Sequence, residues 1–400
     1  MVSSPSPTDR LSTPSALPAR LPSLTGGRVI LFVLAFSTHA LGAGQFFKNP
    51  SINGVGTAVP SAISTLSLFF VLSGFVLTWQ EPWKSTLGSF ARKRLAKIFP
   101  SHIAIWAFTL AMIAVVGPMT LIGQTPLGPA LANLFLVQAW IPDPTYVFSV
   151  YGINWSVSAD IVFYISLPLL IHPILRIPTR HLWYWLVGLM AVIAVLPGVV
   201  MAAVDAPVWW MWAPLSFPEA YLSFFFPLSR LPEFLLGVIL ARMLQTGSWP
   251  RFRLWWAVAG TAALWLVMTW LPPIYKSSGF MAIAVCFFVP IVAMRDIEGR
   301  SRWLNRKPMV VLGDATYAAY LTQWPLLAIA RDAIGPTVRF DTWAGVLLVL
   351  GLLVLNMLIG LVLYRFVERP VLRRFGRTRS ERERARLREA AVSERAQTVG

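Results

Sequence analysis

The sequence predicts an all-α integral membrane protein with about ten transmembrane helices and both termini in the cytoplasm. Three observations predict this fold class. Apolar residues make up 56% of the 400 residues and charged residues only 13%, so long stretches lack the charge that a water-exposed surface needs. Apolar segments recur at the length that a bilayer requires. The Lys and Arg residues are concentrated in alternate connecting loops, as the positive-inside rule expects for a chain that crosses the membrane repeatedly.

Ten apolar segments are long enough and sufficiently free of charge to be predicted as membrane spans. The ten predicted spans are approximately 29–47, 58–80, 99–121, 157–175, 182–203, 221–244, 253–271, 278–294, 309–330 and 342–366. A further apolar segment, 128–141, is too short to cross, and we expect it to lie at the interface or to re-enter.

The charges test this arrangement. With the N-terminus in the cytoplasm, the cytoplasmic segments hold 29 of the 34 Lys and Arg residues. The chain then divides into a disordered cytoplasmic tail (1–24), a transmembrane domain (25–373) and a charged cytoplasmic tail (374–400). The net charge of +17 follows from basic loops that face anionic lipid in the plasma membrane, so it does not require nucleic acid as a partner.

Arg28 and His39 are the most informative pair of polar residues in the apolar segments. Eleven helical positions advance about 16 Å and about three turns, so both residues lie on one stripe of one helix. We expect Arg28 at the membrane surface and His39 near the middle of the bilayer. An ionisable residue at that depth suggests a functional site, although a histidine that simply hydrogen-bonds between helices is the structural alternative.

Two further groups combine polar side chains with helical spacing. Asp160 shares a helix face with Tyr164, four residues later. Arg230 and Glu233 are three residues apart and close enough to pair, which would avoid a bare charge in lipid. A buried pair of this kind would also serve simply to hold helices together.

Three residues form a polar stripe before a proline in the ninth predicted span, namely Tyr317, Tyr320 and Gln323. Such aromatic stripes also serve helix packing. Glu368 follows the last span at its cytoplasmic end, where a salt bridge or a helix-end role is the alternative to chemistry.

The basic run FARKRLAKIFP, at 90–100, contains Arg94 and Lys97. It is amphipathic enough to lie along the membrane surface, where it would bind lipid headgroups or a phosphate-bearing cytosolic donor. With four histidines and one buried-type cysteine, Cys286, the sequence predicts no metal site and no cysteine nucleophile.

Taken in order, these motifs resemble the membrane-bound acyltransferase 3 family of bacterial O-acyltransferases. The Arg-x10-His spacing matches the hallmark of that family. SLFFVLSGFVLTW resembles its second-span signature, and FARKRLAKIFP resembles the basic segment before its third span. NWSVSADIVFY, RLPEFLLGVILARM, TYAAYLTQWPLL and RFVERPVLR are similar to its later motifs. The resemblance covers roughly 28–373.

Three positions depart from the family pattern. Asp160 stands where glutamate is usual, and Gln323 stands where histidine is usual, so a titratable group at 323 is not essential in this protein. Lys97 replaces the second arginine of the family's Arg-x-x-Arg motif, which substitutes a point charge for a bidentate phosphate contact.

The resemblance implies transfer of an acyl group, most simply acetyl, from cytoplasmic acyl-CoA to a hydroxyl. The acceptor would be a saccharide of a cell-envelope glycan or a glycosylated small molecule such as a macrolide. Acyl-CoA would act as a co-substrate, with no bound cofactor. A hydroxyl is a poor nucleophile near neutral pH, and a positioned histidine is a suitable base.

The same resemblance assigns roles to individual residues. His39 is the expected base, and Arg28 would hold donor phosphate or keep the site ordered. The other catalytic candidates are Asp160 and Glu368, which would orient His39 or the substrate. The substrate-binding candidates are Arg94, Lys97, Tyr317, Tyr320, Gln323, Arg230 and Glu233, with Arg94 and Lys97 docking CoA phosphates and one tyrosine steadying the thioester oxygen.

Two other functions are compatible with the sequence. Ten spans with a few buried ionisable residues also suit a secondary transporter, although no internal repeat is visible. A non-catalytic protein with the same fold is the third hypothesis, because Asp160 and Gln323 depart from the family pattern.

Overall fold

The computed structural model describes residues 17–58, 61–80, 83, 86–209 and 214–375. Most of these residues are helical and they form no β-strand, while two isolated bridges join Phe47 to Phe340 and Met119 to Ile122. The predicted all-α fold is therefore confirmed for this part of the chain. Most of the two predicted tails, 1–16 and 376–400, lie outside the described residues.

Seventeen α-helices follow one another in the described part of the chain. In order they are α1 (Pro22–Gly42), α2 (Pro50–Ala58), α3 (Ser61–Trp79), α4 (Leu87–Val116), α5 (Leu127–Leu134), α6 (Pro144–Val147), α7 (Trp155–Leu175), α8 (Leu182–Ala203), α9 (Phe217–Ala220), α10 (Leu231–Gln245), α11 (Leu254–Trp270), α12 (Pro273–Lys276), α13 (Ala282–Val285), α14 (Phe288–Ile297), α15 (Lys307–Ile334), α16 (Thr342–Leu363) and α17 (Arg369–Phe375).

Six helical stretches of the described chain are long and apolar enough to cross a membrane. They are Pro22–Gly42, Leu87–Val116, Trp155–Leu175, Thr179–Ala203, Gly279–Ile297 and Thr342–Phe375. A bent pair, Phe217–Phe225 with Pro227–Gln245, makes a seventh if it is one span. Length and composition thus account for six or seven of the ten predicted spans.

The other three predicted spans coincide with helices that fail one of these criteria. Thr65–Trp79 and Leu254–Trp270 are apolar but shorter. Helix α15 is 28 residues long, but its polar residues lower its hydropathy below that of the six. The chain is a membrane protein with at least six candidate spans.

The predicted span at 221–244 is broken rather than continuous. Its two halves meet at an angle of 47°. Phe226 is extended, with φ −66° and ψ 123°, and Pro227 follows it. Proline disfavours the helical conformation in the residue before it, which explains why the helix breaks here.

The sequence suggested that the basic run lies along the membrane surface. In the structure it forms the first turns of α4, the helix that also contains most of the third predicted span. Thr86 caps α4 by accepting a hydrogen bond from the Ser89 amide at 3.3 Å, and the helix continues without interruption to Val116. At 30 residues it is about 45 Å long, longer than the hydrocarbon core, so its basic first turns extend beyond the apolar part.

Close helix contacts fix the position of the first helix. A side chain at Gly313 of α15 would collide with the carbonyl of Thr25 in α1, and one at Gly26 would collide with the carbonyl of Leu304. Small residues of this kind let membrane helices approach closely. As a result α1 lies beside α15, the helix that carries the predicted polar stripe.

Candidate functional site

Helix α1 carries both residues of the Arg-x10-His motif, one near each end. The helix begins at Pro22 and ends at Gly42, several residues earlier than the predicted 29–47. His39 therefore lies in the last turn rather than in the middle of the helix. Arg28 and His39 are both half-buried, on the same stripe and about 16 Å apart along the axis.

A set of charged side chains from four other elements surrounds Arg28. The carboxylates of Asp160, Asp314 and Glu368 all act electrostatically on its guanidinium. Asp160 comes from α7, Asp314 from α15, and Glu368 from the π-helical turn after α16. Together with Arg94 and Lys97 of α4, we call these residues the charged cluster.

Lys97 points into the charged cluster and forms an ion pair with Glu368. The Glu368 side chain is fully buried, whereas that of Lys97 is 25% exposed. The Lys97 ammonium also lies 3.5 Å from the carbonyl oxygen of Asp314. The π-helical turn Tyr364–Glu368 directs the carboxylate inward. The alternative foreseen for Glu368, a salt bridge at a helix end, is therefore present.

Arg94 belongs to the same cluster and interacts electrostatically with Arg28. Its Nη2 donates to Oε1 of Gln80 at 3.1 Å. Its guanidinium carbon lies 5.4 Å from the ring centre of Phe90 and 5.8 Å from that of Tyr164. Neither contact neutralises its charge, so Arg94 keeps a positive charge that a phosphate would stabilise.

His39 is surrounded by aromatic and amide groups from α15. The ring of Trp324 packs edge-on against the imidazole, with centroids 5.6 Å apart. Gln323 lies next to the imidazole and interacts with it. Within the described residues, Nδ1 of His39 and both amide atoms of Gln323 are buried without a hydrogen bond of normal geometry. Buried polar atoms usually have a partner, so this pocket is suited to a polar ligand.

The two tyrosines of the polar stripe hold α15 against its neighbours. The Tyr317 hydroxyl donates to the carbonyl of Ile98 at 3.0 Å. The Tyr320 hydroxyl lies 3.0 Å from the carbonyl of Ile153 and 2.8 Å from the hydroxyl of Ser156. A phenol has one proton to donate, and here protein oxygens receive it. Stabilisation of a thioester oxygen by either tyrosine stays a prediction.

Arg230 and Glu233 form the predicted buried pair, at 3.0 Å. Arg230 also donates to Ser67 of α3 at 3.3 Å, and a side chain at Gly279 would collide with the Glu233 carboxylate. Neither residue is among the groups that act on Arg28 or His39. The structure thus gives this pair a helix-locking position apart from the charged cluster.

Sequence reasoning missed Asp314, although a signal was present. It lies inside the ninth predicted span, three residues before Tyr317 and thus one helical turn away. Its carboxylate accepts a hydrogen bond from Tyr364 at 3.3 Å and is one of the three carboxylates that act on Arg28. In the described residues, no group of three or more His, Cys, Asp or Glu side chains is placed to hold a metal ion.

Comparison with known proteins relates the chain to acyltransferases. The model of the acyltransferase 3 family, described as an acyltransferase domain, matches residues 21–365. Acyltransferase MdmB of Streptomyces mycarofaciens is 30% identical over 373 residues, which cover 90% of this chain and 94% of that protein. O-acetyltransferase OatA of Staphylococcus aureus is 22% identical over 344 residues, 76% of this chain and 51% of OatA.

The chain therefore spans about half the length of OatA and nearly all of MdmB. No solved structure matches it. The ordered motifs, the matched family model and the extent of the MdmB match all agree: the chain belongs to the acyltransferase 3 family and is a membrane acyltransferase.

Proposed function

We propose that the protein moves an acyl group, most simply acetyl, from acyl-CoA at the cytoplasmic face to a hydroxyl of a saccharide or a glycosylated small molecule. The observation that carries this proposal is the arrangement along α1. The charged cluster, in which Arg94 contacts no carboxylate, surrounds Arg28, and His39 lies in a polar pocket whose buried Nδ1 and Gln323 amide make no hydrogen bond of normal geometry within the described residues.

The distance between these two places suits the shape of the donor. Acyl-CoA carries its phosphates at one end and its thioester at the other, joined by a flexible pantetheine arm. Phosphate bound near Arg28 and Arg94 would leave the thioester to reach towards His39, about 16 Å away along the helix.

The chemical step follows from a base beside a thioester. An unprotonated nitrogen of His39 accepts the proton of the acceptor hydroxyl while the hydroxyl oxygen attacks the thioester carbonyl carbon. The carbon–sulfur bond then breaks, an ester forms, and the departing CoA thiolate takes the proton from the imidazolium. The buried amide of Gln323 is placed to orient the imidazole or to bind the acceptor. Gln323 would act here without titrating.

The charged cluster would divide its work between the donor and the fold. Arg28 and Arg94 are the phosphate contacts that the geometry favours. Lys97 is already paired with Glu368, so we propose that it contributes positive charge to the cluster and that Glu368 fixes its position. Asp160 would hold the Arg28 guanidinium in place.

The relatives support the reaction class. OatA is named an O-acetyltransferase, which is consistent with acetyl transfer to a hydroxyl in this chain. For the placement we propose ten spans across the plasma membrane, with 25–373 as the transmembrane domain and both termini cytoplasmic. The three helices that fail the simple span criteria would cross within the bundle, where protein contacts cover their polar or short ends.

The reaction is tested with membranes that contain the full chain, labelled acetyl-CoA and a glycosylated acceptor such as a macrolide. We expect label to appear in the acceptor as an ester and CoA thiol to be released in equal amount. Transport of the acceptor without consumption of acetyl-CoA would support the transporter hypothesis. Neither activity, across both glycan and macrolide acceptors, would support a non-catalytic protein.

The donor site is tested by removing one arginine. Arg94→Ala should raise the KM for acetyl-CoA about tenfold while changing kcat less, because the phosphates lie far from the reacting carbonyl. Arg92→Ala is the matched control, since Arg92 is exposed on the same helix. An equal KM for the two variants would place CoA elsewhere.

A further inference from the structure

A large cavity lies on the side of the bundle that carries the basic loops, and its lining contains no residue of the charged cluster. Its volume is about 760 Å³, within the range of small-molecule sites. It lies between the start of α11, the end of α14 and the turn that follows α14. Five arginines line it, namely Arg251, Arg253, Arg295, Arg300 and Arg302.

The cavity is strongly positive. Glu298 is the acidic residue in its lining, and it contacts both Arg251, at 3.4 Å, and Arg300. The structure shows no ion pair or side-chain hydrogen bond between the described residues and Arg253, Arg295 or Arg302. Three guanidinium groups are therefore available to an anion, which they bind best in the form of a phosphate or carboxylate.

A buried tryptophan adds a neutral donor to the same cavity. Trp249 lines it and is only 6% exposed, yet its indole nitrogen has no hydrogen-bond partner within the described chain. The ring is held in place by Trp183, which stacks on it at 5.8 Å, and by Phe287 at 5.7 Å. A fixed, buried N–H without an acceptor is uncommon and points to an oxygen ligand.

The cavity continues into an apolar groove. Phe252 and Ile291 line both spaces. The groove has a volume of about 510 Å³ and runs between α11 and the α13–α14 region, where Gly260, Ala263 and Phe287 contribute to its walls. Cationic at one end and apolar along its length, the combined space matches a molecule with an anionic head and a hydrocarbon chain.

The site is separate from the proposed acyl-transfer site. Ser23 lies in the cavity lining and precedes Arg28 by five residues, which places the two about 140° apart around α1. The linings of the cavity and the groove contain none of the predicted catalytic or substrate-binding residues.

We propose that the cavity and groove together bind one anionic phospholipid, with its phosphate among Arg253, Arg302 and Trp249 and an acyl chain along α11. The predicted topology places the arginines at the cytoplasmic leaflet, where anionic lipids attract basic residues. The lipid would fasten α11, of which the protein itself buries only Ala257 and Met268, to α14.

The test measures lipid retained by the full chain in neutral detergent, by native mass spectrometry with equal amounts of dioleoyl phosphatidylglycerol and dioleoyl phosphatidylcholine. We expect one phosphatidylglycerol per protein. The double variant Arg253→Gln with Arg302→Gln should bind it at least tenfold more weakly, because two charge-assisted contacts are lost. Arg176→Gln with Arg180→Gln, which removes two exposed arginines from another basic loop, is the matched control.

Two further arms separate a lipid from other phosphates. A side chain at Gly260 meets open space in the groove, so Gly260→Leu should fill the groove without a backbone clash and weaken lipid binding. Trp249→Phe should also weaken lipid binding, because phenylalanine keeps an aromatic ring but has no N–H to donate. Glycerol 3-phosphate, which lacks acyl chains, should not displace the lipid.

Equal retention of the two lipids, or equal binding by the arginine variant and its control, would overturn the proposal. Displacement by glycerol 3-phosphate would show a site for free phosphate. Displacement by CoA through the same arginines would assign the cavity to the donor. Because retention is measured without turnover, a failed acyl-transfer assay leaves this result unaffected.

Discussion

At the scale of single residues, the surroundings of His39 differ from those expected for a histidine that only packs between helices. The ring packs against Trp324, while Nδ1 and the neighbouring amide of Gln323 make no hydrogen bond of normal geometry within the described chain. A histidine that only joined helices would be expected to use these atoms in hydrogen bonds. The role of His39 as the base stays a prediction, and the variant below tests it.

His39→Ala should reduce acyl transfer by about 10²- to 10⁴-fold, the usual contribution of a general base. Protein abundance in the membrane should stay near the wild-type level, because Trp324 is still held by the hydrogen bond that its indole N–H donates to the Leu121 carbonyl. Transfer of label from acetyl-CoA measures the activity, and immunoblotting of membranes measures the protein abundance. Activity above a tenth of the wild-type value would contradict the assignment.

Lys97 and Glu368 make a second residue-scale prediction. Glu368→Ala leaves the Lys97 ammonium, which is 25% exposed, without its ion-pair partner; breaking a fully buried pair costs about 3 kcal/mol, and the exposure of Lys97 should reduce that cost. The unfolding temperature of the Glu368→Ala variant should therefore be lower than that of the wild-type protein. Replacing both residues by Met should restore much of the loss, because neither charge of this pair is then left without its partner.

Cys286 provides the measurement for this pair. It is the single cysteine and is fully buried, so a thiol-reactive dye reports unfolding of the chain. A double variant that unfolds at as low a temperature as Glu368→Ala would show that the charge balance is not what stabilises this contact.

At the scale of elements, α3 and α10 are in close contact. A side chain at Gly74 would collide with the carbonyl of Phe234, and one at Gly237 would collide with the carbonyl of Val71. Val71 and Phe234 are themselves fully buried. The two helices therefore pack backbone to backbone, which supports the broken span that carries Arg230.

Gly237→Ala should destabilise the protein, because the added methyl group must separate α3 from α10. Gly351→Ala is the control, since a side chain there meets open space on an exposed face of α16. Alanine is favoured over glycine in a helix by about 0.5–1 kcal/mol, so the control should be neutral or stabilised. Unfolding followed through Cys286 compares the two, and equal shifts would refute the packing argument.

At the scale of the whole molecule, the described helices form a bundle in which α1 contacts α15 near both of its ends. Thr25 approaches Gly313, and His39 approaches Trp324, so the two helices run parallel. This arrangement brings the first and the ninth predicted spans together across nearly 300 residues of sequence. The proposed topology then places the charged cluster at the cytoplasmic face.

Cysteine labelling in intact cells tests this topology. Gly123→Cys should react with an impermeant reagent from outside, whereas Thr179→Cys and Asn305→Cys should react only after the membrane is opened. All three positions are exposed, and the buried native Cys286 should give little background. Labelling of Asn305→Cys from outside would invert the proposed placement of the cytosolic donor.

Features that depend on local spacing and composition could be predicted from the sequence. Helical periodicity put Arg28 and His39 on one stripe, and three-residue spacing predicted the pair of Arg230 and Glu233. Hydropathy predicted an all-α membrane protein, and the ordered motifs predicted its family. These features need only a few neighbouring residues, because the geometry of a helix is repetitive.

Which distant residues meet could be seen only once the helices were packed together. Lys97 and Glu368 are 271 positions apart, and nothing in either motif predicted that one would neutralise the other. The same holds for Asp314 beside Arg28 and for the cavity built from three separate segments. The physical reason is that contacts between helices depend on how all their faces pack together, and no short stretch of sequence contains that information.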